Sequence, residues 1–179
     1  MKTLVIHPYD TTTLVLENVY HNADVDVLHR SDLTRQDVEN AIDAGGYDRL
    51  VLLGHGTPEG LYNFATNDYV FDRGTYRDKV LPRNIEVIAV WCNANDFFLH
   101  FDEPENVFAT GMFISELREA KDYFLHEATE ETIYNQFVLF SKVLRTAAYL
   151  PIKDVRNYIE KNYVGLDEVT KFNRECMCM

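Results

Sequence analysis

The chain has 179 residues, 46% of them hydrophobic and 26% charged, and its formal net charge is −12. This length and balance predict one folded domain spanning residues 1–179 and exclude a disordered chain. The negative charge argues against nucleic acid as a partner, because phosphate binding requires clustered lysines and arginines. A basic peptide or protein is the electrostatically easier partner.

The amino-terminal apolar stretch, Leu4-Val5-Ile6, is too short for a signal-peptide core or a membrane span. We therefore expect a cytoplasmic protein that makes no membrane contact. Cys176 and Cys178 stand in a Cys-Met-Cys-Met tail, for which fraying is expected. We expect no cofactor and no metal, because the chain lacks the Cys-x2-Cys or His-x3-His spacing usual for zinc ligands.

Short runs rich in β-branched residues alternate with helical patterns, which predicts βαβ units around a mainly parallel sheet. The predicted strands are Thr3–Ile6, Val25–Leu28, Leu50–Leu53, Ile85–Val90 and Val107–Met112.

The connections between these strands carry helix and hairpin signals. Asp10–Tyr20 has roughly helical apolar spacing behind an Asp-Thr-Thr start. Thr34 and Asp37 resemble a capping box, and Gly45-Gly46 is typical of the end of that helix. The next connection predicts a hairpin with strands at Gly60–Phe64 and Tyr69–Phe71, and a helix at Thr75–Val80 that Pro82 ends.

Helices dominate the last third of the chain. One is predicted after Ser115, with Leu117, Ala120 and Phe124 on its apolar face. Thr129–Leu150 is the longest predicted helix, and Pro151 starts another that continues through residues 155 and 159.

Two predicted strands end at reactive side chains: Leu50–Leu53 leads into Gly54-His55-Gly56, and Ile85–Val90 into Trp91-Cys92-Asn93. The carboxyl ends of neighbouring parallel strands line one crevice, so His55 and Cys92 could lie side by side there. An imidazole beside a thiol promotes thiolate formation and nucleophilic attack. Taken separately, each residue also fits a structural role, Cys92 as a small buried hydrophobe and His55 as a polar residue in a turn.

The order strand, His-Gly, hairpin, helix, strand, Cys resembles the caspase-like (clan CD) cysteine peptidases, and within them the CHAT-type domains most closely. The matching segments are 52–56, the hairpin with Asn67-Asp68 at its tip, and 88–92. The resemblance covers 50–95 in motif and about two-thirds of the chain in element order. It implies a caspase-like, three-layer α/β/α sandwich with a mainly parallel sheet.

The resemblance also implies the chemistry of the site. Cys92 would be the nucleophile and His55 its base, with a peptide or protein as substrate. The backbone amides of Gly56 and Cys92 would form the oxyanion hole, and the family requires no carboxylate or amide as a third member. Asn93 and Asn95 adjoin the cysteine and are candidate substrate contacts, although turn or capping roles are commoner for such residues.

Tyr62 is a further candidate substrate contact, as part of an aromatic wall on the hairpin. Packing of amphipathic strand residues against the sheet is the alternative interpretation of these aromatics.

The chain departs from the family at the cysteine itself. Family members usually have a small residue before the cysteine and a glycine shortly after it, whereas this chain has Trp91 and Asn93. Asn adopts left-handed backbone conformations more readily than most residues, so the turn stays feasible.

This departure keeps open a second hypothesis, a catalytically degenerate module that binds a protein partner through its acidic surface. Nucleotide-binding glycine loops, a Cys-x5-Arg phosphatase loop and a Gly-x-Ser-x-Gly elbow are absent from the sequence, which removes several rival enzyme classes.

Overall fold

A computed structural model describes residues 1–101 and 104–177 of the chain, so Cys178 lies outside the described residues. The strands in chain order are β1 (Thr3–Ile6), β2 (Asp26–Leu28), β3 (Arg49–Leu53), β4 (His55–Thr57), β5 (Gly60–Asn63), β6 (Asp68–Asp72), β7 (Glu86–Val90) and β8 (Val107–Ala109). The helices are α1 (Arg35–Gly45), α2 (Arg73–Thr75), α3 (Ala94–Phe98), α4 (Leu117–Asp122), α5 (Glu130–Ala147), α6 (Ile152–Asn162) and α7 (Glu168–Met177).

Five strands form one sheet in the order β2-β1-β3-β7-β8, and every neighbouring pair in it is parallel. The predicted α/β class with a parallel sheet is thus confirmed. The register pairs Ile6 with Leu52 and Leu53 with Val90, so β1, β3 and β7 end at the same edge of the sheet. The loops that leave these three strands therefore meet at that edge.

The strand side chains divide between two apolar clusters, as the twofold alternation of a strand requires. One cluster combines Leu50, Leu52 and Val87 with Val38 and Ile42 of α1. The other combines alternate strand residues with α5 and α6: Val5, Val51, Ile88, Phe137, Phe140, Leu144, Val155 and Ile159. Among the helices that the structure describes, none has the length and apolarity needed to cross a membrane.

The predictions of α1 and of the hairpin are confirmed. Thr34 and Asp37 cap α1 reciprocally, and Gly46 ends the helix in the left-handed region at φ 59°. The hairpin is formed by β5 and β6, which pair antiparallel. A strand that the sequence did not predict, β4, adds to the hairpin and contains His55 itself, which pairs with Tyr62.

Several predicted helices differ in the structure. The segment after β1 is a 3-10 helix, Leu14–Val19, and not an α-helix. Pro82 does not end the helical segment that follows β6, because a π turn at Tyr76–Val80 continues into a 3-10 turn at Leu81–Arg83. Phe124 lies beyond α4 with a positive φ of 60° and an exposed side chain.

The expectation that the carboxyl-terminal tail frays is wrong for Cys176 and Met177. Both residues belong to α7 and are buried. Met177 packs into the cluster that contains α5 and α6, and this burial offsets the usual loss of order near a chain end.

Candidate active site

The ends of β3 and β7 bring His55 and Cys92 to one cavity. Parallel pairing of Leu53 with Val90 places the residues that follow each strand at the same edge. Both side chains line a small cavity of about 20 Å³, whose other walls include Leu16, Phe113 and Phe137. An imidazole and a thiol thus share one partly apolar space.

The Cys92 thiol is held by the segment that leads into α4. Its sulfur lies 3.5 Å from the carbonyl oxygen of Phe113 and 3.9 Å from Oε1 of Glu119. Burial, and then the nearby charge of Glu119, raise the pKa of the Cys92 thiol to about 12. The thiol is therefore protonated at neutral pH, and within the described part of the chain no hydrogen bond joins it to His55.

The His55 imidazole is oriented by the loop that follows β1. Its Nε2 lies 2.6 Å from the hydroxyl of Thr12 and 3.7 Å from Oδ1 of Asp10. The ring of Phe64 packs edge-on against the imidazole with centroids 5.1 Å apart. The loop after β1 thus orients the His55 ring, and Phe64 of the hairpin covers it.

Gly56 and Trp91 fit together directly beside the two candidate catalytic residues. A Cβ atom at position 56 would lie 2.3 Å from Cδ1 of Trp91 and 2.5 Å from the carbonyl oxygen of Gly60. The Trp91 indole is buried, and its Nε1 donates to the carbonyl oxygen of Thr57 at 3.0 Å. The absence of a side chain at Gly56 is what gives the large residue before the cysteine its space.

The backbone that leaves Cys92 is compatible with an oxyanion site. Asn93 is left-handed at φ 64° and ψ 32°, so asparagine makes the turn that leaves Cys92. Cys92 lies outside every helix and strand, and its backbone N–H donates no hydrogen bond in 1–101 and 104–177. This amide is therefore free to face a developing oxyanion.

The three candidate substrate contacts do not line the cavity that holds Cys92. Asn93 precedes α3, and Asn95 lies within it, with a buried side-chain oxygen that lacks a hydrogen-bond partner in the described residues. The Tyr62 hydroxyl donates to Oδ1 of Asn67, and its ring packs among hairpin aromatics.

A second, more open cleft of about 370 Å³ adjoins His55 on the solvent side. Four carboxylates and one guanidinium line it together with His55, Thr12 and Phe64; the charged residues are Asp10, Glu116, Arg118, Glu119 and Asp122. This cleft carries a net negative charge, and its lining includes Glu119, which contacts Cys92, and three residues that contact His55, namely Asp10, Thr12 and Phe64.

Asp10, Thr12, Phe113 and Glu119 contact the candidate catalytic residues, and the sequence did not single them out for that role. Asp10 and Thr12 were interpreted as a helix start, and part of that interpretation holds, because Oδ1 of Asp10 accepts from the Thr12 amide at 2.9 Å. Glu119 caps α4 by accepting from the amides of Ser115 and Glu116. Its approach to Cys92 depends on tertiary packing that no local pattern encodes.

His7 lies at the same edge of the sheet in a buried position. Its two ring nitrogens lie 3.0 Å from the Tyr20 hydroxyl and 3.1 Å from the Thr13 hydroxyl. Burial, followed by the nearby His29 and His55, lowers the pKa of His7 to about 3. His7 is therefore a neutral packing residue that supports the loop carrying Asp10 and Thr12.

The described residues contain no group of three or more His, Cys, Asp or Glu side chains arranged to hold a metal ion. In comparisons with known proteins, no protein-family model matches the chain and no curated protein sequence matches it.

Proposed function

We propose that the protein is a cysteine peptidase, or a related acyl-transfer hydrolase, built on a caspase-like three-layer α/β/α sandwich of the CHAT type. The observation that carries the proposal is the shared cavity of His55 and Cys92 at the ends of neighbouring parallel strands. The resemblance in motif order between residues 50 and 95 supports the same assignment.

The reaction would run through a thioester. The Cys92 sulfur attacks the carbonyl carbon of a peptide or protein substrate while its proton passes to the His55 imidazole. The amides of Gly56 and Cys92 donate to the oxyanion. The C–N bond then breaks as the imidazolium returns the proton to the leaving amine, and water hydrolyses the thioester with His55 as base.

The resting site differs from the reactive one in the position of the Cys92 sulfur and of its proton. In the resting site the thiol lies within reach of the Phe113 carbonyl and of the Glu119 carboxylate, and the carboxylate disfavours the thiolate. Attack requires the sulfur to leave this contact and give its proton to His55. A rotation about the Cα–Cβ bond of Cys92 is enough to redirect a cysteine sulfur by a few ångströms.

Site-resolved alkylation of Cys92 tests the proposed dyad. Iodoacetamide labelling from pH 6 to pH 10, followed by peptide mass spectrometry, gives the Cys92 rate in the parent and in His55→Ala, with added glutathione as the reference thiol. We expect His55→Ala to slow alkylation of Cys92 at pH 7.5 by at least about tenfold. Equal rates in the two proteins would contradict a functional dyad.

A degenerate module that binds a basic protein partner is the second candidate. The raised pKa of Cys92 and the net charge of −12 favour it. A pull-down that survives Cys92→Ala, together with no hydrolysis of any member of a peptide library by the parent, would support binding over turnover.

A further inference from the structure

The loop after β1 reaches His55 through a short chain of hydrogen bonds. The Thr12 hydroxyl donates to Oδ1 of Asp10 at 2.6 Å, and the same oxygen of Thr12 lies 2.6 Å from Nε2 of His55. Oδ1 of Asp10 itself is 3.7 Å from that nitrogen. Parallel pairing of β1 with β3 places the Asp10 loop and His55 at one edge of the sheet.

The directions of these hydrogen bonds follow from the chemistry of each group. Burial acts to raise the pKa of Asp10, but hydrogen bonds from the Thr12 hydroxyl and amide, together with the nearby His55, outweigh it and hold that pKa below its ordinary value. The carboxylate is therefore ionised at neutral pH and only accepts. Because the single Thr12 hydroxyl proton is given to Asp10, the Thr12 oxygen must accept from Nε2–H of His55.

The other ring nitrogen of His55 is then the unprotonated one. Nδ1 makes no hydrogen bond to any residue in the described ranges, so its lone pair is free. In a neutral imidazole one nitrogen donates and the other accepts, and the bond made by the first fixes the role of the second.

We propose that Asp10 and Thr12 are positioning residues that fix His55 in the Nε2–H tautomer, leaving Nδ1 as the nitrogen that receives the Cys92 proton. This inference rests on the proposed cysteine chemistry for its catalytic meaning. In the proton transfer the S–H bond breaks and an Nδ1–H bond forms. The imidazolium keeps its Nε2–H bond to Thr12, and the Asp10 carboxylate stays ionised beside it and stabilises the positive charge.

The tautomer can be measured without any substrate. Two-bond ¹H–¹⁵N correlation spectra of the imidazoles at pH 8 distinguish Nε2–H from Nδ1–H, and the His55 signals are assigned by their loss in His55→Gln. We expect Nε2–H in the parent and in Thr12→Ser, and a mixture of tautomers in Thr12→Val. Thr12 is exposed, so the near-isosteric valine variant keeps the fold.

The same variants are then tested on Cys92. We expect Thr12→Val and Asp10→Asn to slow iodoacetamide alkylation of Cys92 at pH 7.5 by about tenfold or more, and Thr12→Ser to stay within about twofold of the parent. A purely structural role for the loop would leave the tautomer unchanged and would not be rescued by serine.

The outcomes separate this inference from the function on which it rests. Nδ1–H as the parent tautomer, or an unchanged tautomer in Thr12→Val, overturns the positioning role even if His55→Ala slows alkylation. A shifted tautomer with a Cys92 rate that is indifferent to His55 supports the positioning of the ring and overturns the proposed dyad.

Discussion

At the scale of single residues, the site contains two opposed influences on the same sulfur. In the proposed reaction His55 would promote the thiolate of Cys92, whereas burial and the Glu119 carboxylate hold the thiol in its protonated form. Glu119 has this effect because α4 places its carboxylate oxygen 3.9 Å from the Cys92 sulfur while the same side chain caps the helix. The same Glu119 side chain therefore caps the start of α4 and helps to keep the Cys92 thiol protonated.

Glu119→Gln removes the negative charge next to Cys92 and keeps an acceptor oxygen for the α4 cap. Burial remains the larger cause of the raised Cys92 pKa, so that pKa falls only part of the way toward its ordinary value. A lower pKa means more thiolate at a fixed pH, and we expect alkylation of Cys92 at pH 8 to rise roughly three- to tenfold. Peptide mass spectrometry of iodoacetamide-labelled protein measures this rate.

Asp122→Asn is the matched control, because Asp122 lines the same open cleft without a contact to the sulfur. It should leave the Cys92 rate close to that of the parent. Slower or unchanged alkylation in Glu119→Gln would show that the carboxylate does not suppress the thiolate.

At the scale of elements, β4 links the small antiparallel sheet to the end of β7. The Trp91 indole bonds the carbonyl of Thr57 and packs on Gly56, so the strand that contains His55 is fixed to the residue that precedes Cys92. Trp91 thus has a structural role in setting the positions of the two candidate catalytic residues.

Gly56→Ala tests this contact between β4 and β7. The added methyl group would overlap Trp91 and the Gly60 carbonyl, so we expect a loss of about 1–3 kcal/mol in the free energy of unfolding, measured by urea denaturation. Gly74→Ala is the control, because a Cβ atom there would approach only the Asp72 side chain, at 3.2 Å, and no backbone atom. If both variants lose the same unfolding free energy, the close approach of Trp91 to Gly56 does not cause the loss.

The elements that could be predicted from sequence are those with strong local signals. The apolar runs of β1, β3 and β7 and the reciprocal cap at Thr34 depend on residues close in sequence. β4 escaped prediction because His55-Gly56-Thr57 has no β pattern and forms a strand only by pairing with β5. α7 escaped because its stability comes from burial against distant helices rather than from its terminal residues.

The candidate site could be predicted only in part for the same reason. His55 and Cys92 follow apolar strands, and that pattern is visible in the sequence. Glu119 reaches the sulfur across 27 positions of chain, and Thr12 reaches His55 across 43, through packing of separate elements. Contacts of this kind are set by the tertiary fold and leave no periodic signal.

At the scale of the whole molecule, several ionisable groups lie at the carboxyl edge of the sheet, among them His7, His55 and Cys92. His7 lies within this edge and is kept neutral, with a pKa of about 3 against an ordinary 6.5. In the unfolded chain it titrates near its ordinary value. Below pH 6.5 the unfolded state therefore binds a proton that the folded state does not, and stability falls as pH falls toward 3.

We expect the parent to lose about 2 kcal/mol of unfolding free energy between pH 6.5 and pH 5 through His7, because each pH unit in this window costs about 1.4 kcal/mol. Lowered carboxylate pKa values, such as that of Asp37 at about 2, act at more acidic pH. Urea denaturation at pH 6.5 and at pH 5 measures this change in unfolding free energy.

His7→Gln should be less stable at pH 6.5 and should show a flatter dependence on pH. His126→Gln, at an exposed position, should keep the parental slope. If the unfolding free energy of His7→Gln depends on pH as steeply as that of the parent, groups other than His7 cause the pH dependence.

Covalent capture shows whether Cys92 attacks acyl carbons with the help of His55. The protein is treated with tripeptidyl acyloxymethyl ketones that differ only in a final lysine, aspartate, asparagine or leucine, and adducts are located by peptide mass spectrometry. We expect a one-to-one thioether at Cys92 with at least one probe, lost in His55→Ala. Absence of any Cys92 adduct, or equal labelling in the two proteins, would contradict this expectation.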